Sequence, residues 1–346
     1  MALPPPEHAA RVLHVANGYA VTDLLAQSGI PGTRSIWADA LHDGPVPDGV
    51  TDEALVEVRA HHLSAPGRTA GEVSAELRRW RDSVDRLMAF QELVLWYEHD
   101  LFDQLNLLQV LDRIAGLSRG TTQVSLVSVG SFPGHSWFKG MGELTADELA
   151  SLFDNRQPIG EPQFTAARAA WRAFRSPDPR ALEALLATDL SALPFIAAAL
   201  RRHLEEFPSV ANGLSRSEQH LLALVSSDGS DLWALFPMMH DGEECFYIAD
   251  LSFWAVVRGL AEASPPLLEI SIASQGAATT LPRGTATLTT AGRAVLIGES
   301  DRIRQCGIDL WLGGTHVTSE SAWRWDGAKG RIVPPVNDVG STQSSG

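Results

Sequence analysis

Apolar and polar positions follow two rhythms along this chain, and the changes of rhythm mark its elements. Short, mainly apolar runs over 12–16, 33–38, 93–97 and 123–129 have the length of buried strands. Between them apolar residues recur at helical spacing. Val21, Leu24 and Leu25 do so within 20–28. Leu55, Val56, Leu77, Val84, Leu87 and Met88 do so within 51–91, where Glu53, Glu57, Arg59, Glu72, Arg78, Arg79, Arg81 and Asp82 fit exposed faces. Glycines and a proline over 29–32 stop the first helix, and 41–49 reads as a loop. The order β-α-β-loop-α-β-α-β predicts a mainly parallel sheet with helices on its faces.

Further on, Thr145 and Glu148 have the spacing of a capping box, and 164–174 is helical. Ser176-Pro177-Asp178-Pro179 breaks that helix, and 180–204 is helical again, with Pro194 opening a new helix. A second domain starts near Ser209. Ser215 and Glu218 cap its first helix, two more follow over 231–239 and 251–263, and strands are expected at 267–272 and within 287–296. Three helices followed by strands suggest a winged-helix-like α+β module. The segments 311–316 and 323–327 read as one closing hairpin. The expected division is an α/β domain over 1–140 with a frayed start over 1–10, a helical linker region over 141–208, the C-terminal module over 209–335, and a disordered tail over 336–346.

Composition narrows the function. The chain has 346 residues and a net charge of −15, which disfavours broad binding to nucleic acid or to anionic membrane. It has no apolar run long enough to span a bilayer. The opening residues lack the basic and apolar regions of a signal peptide, so a cytoplasmic location is expected. Cys245 and Cys306 form neither a metal-ligand spacing nor a disulfide framework. Nucleotide-cofactor, P-loop, nucleophile-elbow and zinc-helix motifs are absent.

The candidate chemistry lies at strand ends. Glu98, His99, Asp100, Asp103 and Gln104 follow the third strand directly as it turns into a helix. His99 and Asp103 are four apart, a spacing that suits an imidazole oriented by a carboxylate or two ligands of a divalent metal. The plainer alternative makes Asp100 a helix cap and Asp103 a first-turn acid favoured by the helix dipole. Asn17 and Gly18 end the first strand, with His14 inside it. Trp37, Asp39 and His42 end the second. Strand ends of a parallel sheet converge on one edge, so the three sets are expected to form one crevice. The loop over 131–140, rich in glycine and aromatic residues and carrying Lys139, is either a lid or a plain surface loop.

The segments Leu13–Gly18, Trp37–Pro45 and Leu95–Gln104, in this order, resemble the domain-of-unknown-function 1835 family over roughly the first 130 residues. The segments Gly213–Glu218 and Trp323–Asp326 look like the C-terminal region usually joined to it. The resemblance implies a shared fold and a shared site without an established reaction. The family pattern generally has Asp after the Asn-Gly pair, where this chain has Tyr19.

The leading expectation is an enzyme, a hydrolase or transferase, acting on a small polar substrate. His99 is its acid/base group, with Asp103 and Asp100 as its carboxylate partners. His14, Asn17, Gly18, Trp37, Asp39, His42, Glu98 and Gln104 bind substrate, and a divalent metal is the one cofactor considered. The alternatives are a ligand-sensing regulator with a C-terminal winged helix and a non-catalytic interaction protein, such as a homodimer formed through Trp233, Trp254, Trp311, Trp323 and Trp325. The candidate recognition helix over 251–262 carries a single cation, Arg258, which argues against DNA readout.

Overall fold

Val12–Ala16 forms strand β1, and four of its five residues are buried, as befits a strand covered on both faces. Helix α1 (Tyr19–Gln27), β2 (Thr33–Ile36) and the two-residue β3 (Gly44–Pro45) follow. Helices α2 (Asp52–His62) and α3 (Ala70–Asp85) start on threonine caps. Thr51 accepts the Ala54 N–H, and Thr69 closes a capping box with Glu72. Next come β4 (Glu92–Trp96), α4 (Leu101–Ala115) and β5 (Gln123–Val127). The chain continues through α5 (Ala146–Phe153), β6 (Gln157–Pro158), α6 (Glu161–Phe174), α7 (Arg180–Leu186) and α8 (Ile196–Leu204). The computed structural model describes residues 11–65, 67–274 and 281–335. The frayed start over 1–10 and the disordered tail over 336–346 lie outside the described residues.

The sheet order is β2-β1-β4-β5-β6, parallel except for β6, which runs antiparallel to β5 at the edge. The chain leaves β1 to build β2 on one side and returns to build β4 on the other. The strand order therefore reverses between β1 and β4, and the crevice beyond their carboxyl ends is where open α/β sheets hold ligands. Helix α4 packs against α6 and α8, so the 141–208 segment supplies both an edge strand and a helical layer around it.

In the C-terminal part, α9 (Arg216–Leu224) opens on a Ser215–Glu218 capping box and is followed by β7 (Ser230–Asp231), α10 (Leu232–Met238) and α11 (Asp250–Ala261). Then β8 (Leu268–Ser274) and β9 (Arg283–Leu288) join β7 in an antiparallel sheet of order β7-β9-β8. The expected strand within 287–296 ends at Leu288. Thr289 accepts the Gly292 N–H and so starts helix α12 (Thr290–Leu296) instead. Helix α13 (Arg302–Cys306) precedes two hairpins rather than one: β10 (Asp309–Gly313) with β11 (Thr315–Thr318), and β12 (Arg324–Asp326) with β13 (Arg331–Val333). Gly313, at φ 60°, permits the tight turn between β10 and β11. β10 also pairs with β3, which ties the loop after β2 to the end of the chain. Among the described residues, no helix is long and apolar enough to cross a membrane.

Two arginines expected on exposed faces are buried. Arg81 pairs with Asp52 and lies over the Trp37 ring, 5.0 Å from its centroid. Arg59 is fully buried and grips Asp39 at 2.8 Å. Its other N–H groups donate to the carbonyls of Ala40 and Asp43, at 2.8 and 2.7 Å, and so shape the loop after β2. Removing one partner of such a pair leaves a buried charge uncompensated. Asp39→Ala is expected to lower the unfolding free energy by about 3–5 kcal/mol, measured by urea denaturation; a loss within experimental error would refute this role.

Candidate functional site

β1 and β4 place Asn17 and Glu98 side by side just past their carboxyl ends, and the first turn of α4 brings Asp103 beneath them. The Asn17 amide Nδ2 donates to Glu98 Oε2 and, at 2.9 Å, to Asp103 Oδ2. Asp103 Oδ2 also accepts the backbone N–H of Glu98, and Glu98 Oε1 accepts the N–H of Met141. Gln104 Nε2 holds the Glu98 carbonyl at 2.5 Å. Asp100 is the N-cap of α4, its Oδ1 accepting the Asp103 N–H at 2.9 Å. The plainer sequence reading of Asp100 therefore describes its local role. Gly140 and Met141 were not among the expected site residues. A Cβ at Gly140 would lie 2.8 Å from Glu98 Oε1, so only glycine lets the loop come this close. The available signal was a glycine closing an aromatic-rich loop just after a strand.

The cluster is buried, and burial sets its electrostatics. It pushes the Glu98 carboxyl up to about 7, with the Asp100 charge adding to the rise and the bonds from Asp103 and Met141 opposing it. Asp103 is raised well above the usual carboxyl range by burial, then by the neighbouring Glu98 charge. Asp100 is raised by burial, then by Asp103. Two carboxyls that share one amide donor cannot both ionise cheaply, so the pair keeps a proton at neutral pH. Asp103 Oδ1 is buried without a hydrogen-bond partner in the protein. This arrangement can hold, give and take a proton at the open end of two strands.

No protein-family model matches the chain, and no curated protein matches it. The site is therefore read from its own geometry. Asn17, Glu98, Asp100, Asp103 and Gln104 are hydrogen-bonded into one cluster, but the expected single crevice of three strand ends is not formed, because the set at the end of β2 does not join it. A Cβ at Gly18 would meet nothing within 4 Å. Tyr19 is exposed beside it.

The remaining residues go elsewhere. His14 accepts from the Trp96 indole at 3.1 Å, and its Nε2 lies 3.3 Å from the Pro31 carbonyl; burial lowers its pKa to about 4. Trp37 is core, its indole donating to Gln109 at 2.8 Å. Asp39 is committed to Arg59. His42 faces the C-terminal module, 3.4 Å from Ser252 Oγ. The His99–Asp103 pairing does not form. His99 lies ahead of the α4 N-cap, so four-residue helical spacing does not put it on the Asp103 face. Its ring packs instead among Phe138, Phe195 and Tyr247, with Nδ1 unpartnered and the imidazole held neutral by burial. Among the described residues no three His, Cys, Asp or Glu side chains are gathered to hold a metal ion, so the metal option for His99 and Asp103 finds no donor set there.

Glu98 has a folded pKa of about 7 against an ordinary 4.5. Its contribution to stability is therefore complete below pH 4.5 and is lost as pH rises through 7. Glu98→Gln removes the cost of ionising the buried group. It is expected to raise the unfolding free energy by about 2 kcal/mol at alkaline pH, within the ceiling of about 3 kcal/mol that the shift sets. Urea titrations of both proteins in acid and in alkali check this. An unchanged difference between the two pH values would mean that Glu98 titrates normally.

Proposed function

We propose that the chain is an enzyme, a hydrolase or transferase, acting on a small polar substrate beyond the carboxyl ends of β1 and β4. Glu98 and Asp103 form its acid/base pair, in place of His99. The observation that carries this reading is the position of two buried carboxyls, sharing one amide donor, where the parallel strand order reverses between β1 and β4. A group with a pKa of about 7 is half protonated at neutral pH and serves as acid or base equally well. Asn17 and Gly18 form the substrate-facing rim. Helix α1 starts beside them with no side-chain cap and no acidic residue in its first turn, so its positive end favours an anionic or strongly polar substrate group. His99 belongs to the aromatic wall.

The three strand-end motifs support assignment of the first 130 or so residues to the domain-of-unknown-function 1835 family, and a cytoplasmic protein without a nucleic-acid partner completes the reading. We also assign the C-terminal part as winged-helix-like, on its order of helix, strand, two helices and two strands in one antiparallel sheet. A DNA-reading role for it is disfavoured. Helix α11 carries a single basic side chain, Arg258, where a reading helix needs cations for phosphates and polar side chains for base edges.

The test is a panel of hydrolase and transferase substrates assayed with the wild type, Glu98→Gln and His99→Phe. Glu98→Gln is expected to lower kcat at least about a hundredfold and abolish a pH–rate midpoint near 7, while His99→Phe stays within a few-fold of wild type. Full activity in Glu98→Gln, or the reverse ranking of the two variants, would overturn the assignment.

A further inference from the structure

Away from the strand-end site, α4 and α6 border a hollow of about 340 Å³ lined by Asp112, Thr165, Arg168, Ala169 and Arg172. Asp112 lies further along α4 than Asp103, by about 14 Å of helix axis, so the hollow and the carboxyl pair are separate places. The α6 pattern sets the arginines. Phe164, Ala167, Ala170, Trp171 and Phe174 turn into the core, and Arg168 and Arg172, one turn apart, are left exposed on the opposite side.

The charges around the hollow are open to a ligand. Arg168, Arg175 and Arg172 all act on the Asp112 carboxyl through space, and none closes a hydrogen bond to it. Arg175 donates instead to the Pro47 carbonyl at 2.6 Å. Arg113, beside Asp112, is taken by Asp52 and Asp85, both at 2.6 Å, and Asp52 is matched further by Arg81. Among the described residues neither Arg168 nor Arg172 closes an ion pair. The hollow therefore carries an excess of positive charge in a chain of net charge −15. Like charges one helical turn apart repel, and an oxyanion between them removes that repulsion.

We propose that this hollow binds a phosphate group, free or on a small monoester, with its oxygens on the Arg168 and Arg172 guanidiniums and its protonated oxygen on Asp112. The guanidinium fork matches phosphate geometry and stays charged at every working pH. The carboxylate selects among oxyanions. When ionised it only accepts, so it suits a ligand that brings a proton. Phosphate monoesters keep one on about half of the population near pH 6, and free phosphate does so too. Sulfate brings none and sets two acceptors face to face. The site is independent of the strand-end reading.

The test titrates the full chain with inorganic phosphate, glycerol phosphate and sulfate at about pH 6 and constant ionic strength, read by calorimetry. Both phosphates are expected to bind saturably at millimolar concentration, and sulfate at least about tenfold more weakly. The tighter of the two phosphates tells a free ion from an ester as the occupant. Arg172→Gln, an exposed change to another good helix former, is expected to weaken phosphate binding about tenfold. Arg79→Gln, on an exposed position of α3, is expected to leave it unchanged. Asp112→Asn gives the hollow an amide that can donate, and is expected to abolish the preference over sulfate. No saturable phosphate binding, sulfate bound as tightly as phosphate, equal losses in Arg172→Gln and Arg79→Gln, or a preference that survives Asp112→Asn would each overturn the proposal.

Discussion

The Glu98 side chain is the knot on which the strand-end architecture depends. One carboxyl group takes a hydrogen bond from the end of β1 through Asn17 and another from a loop more than forty residues later through Met141. Its own backbone is held by Asp103 and Gln104 of the helix that follows. Burying such a group is unfavourable unless its lone pairs are satisfied, and here both oxygens are. The same burial that makes the knot rigid also moves its proton affinity to neutral pH. Stability and chemistry thus draw on one constraint, the desolvation of a carboxyl group at a point where three chain segments must meet.

That constraint distinguishes residues that look alike in the sequence. Asp39 and Glu98 both follow a strand and are both buried acids. Asp39 meets a guanidinium at 2.8 Å and serves as one half of a structural ion pair. Glu98 meets an amide, a backbone N–H and another acid, none of which supplies a positive charge, so it stays poised between protonation states. Proximity to a strand end selects candidates, and the charge of the partner decides between scaffold and chemistry.

Much of the fold was legible because local signals agreed with each other. Caps at Thr145 and Ser215, each with a glutamate three residues on, start helices where expected. The parallel sheet followed from alternating elements, and the Glu98–Asp103 wall from a polar burst after a buried strand. What failed was non-local or positional. Arg59 sits in a charge-rich helix and reads as exposed, because the acid that buries it lies twenty residues upstream. The approach of Gly140 and Met141 to Glu98 depends on how a loop folds back over the sheet. His99 and Asp103 have helical spacing, but the helix starts at Leu101, two residues after His99, so the spacing meant nothing there.

The way the C-terminal part docks also bears on which helix end can meet a substrate. In an open α/β sheet the N-termini of the helices after both switch-point strands are available to polar ligands. Here the α4 terminus is already neutralised. Asp100 caps it, and the Cys245 carbonyl takes the Leu101 N–H. The α1 terminus has neither device, and its N-cap position is Gly18, beside Asn17. In the proposed enzyme a polar substrate group would gain most at α1, which would bring the reacting end of the molecule toward Glu98 from the β1 side. The C-terminal module contributes by closing the competing helix end and walling the site with Tyr247 against His99. It takes no part in the carboxyl pair itself, so in the proposed enzyme it would act through substrate orientation and the exclusion of water.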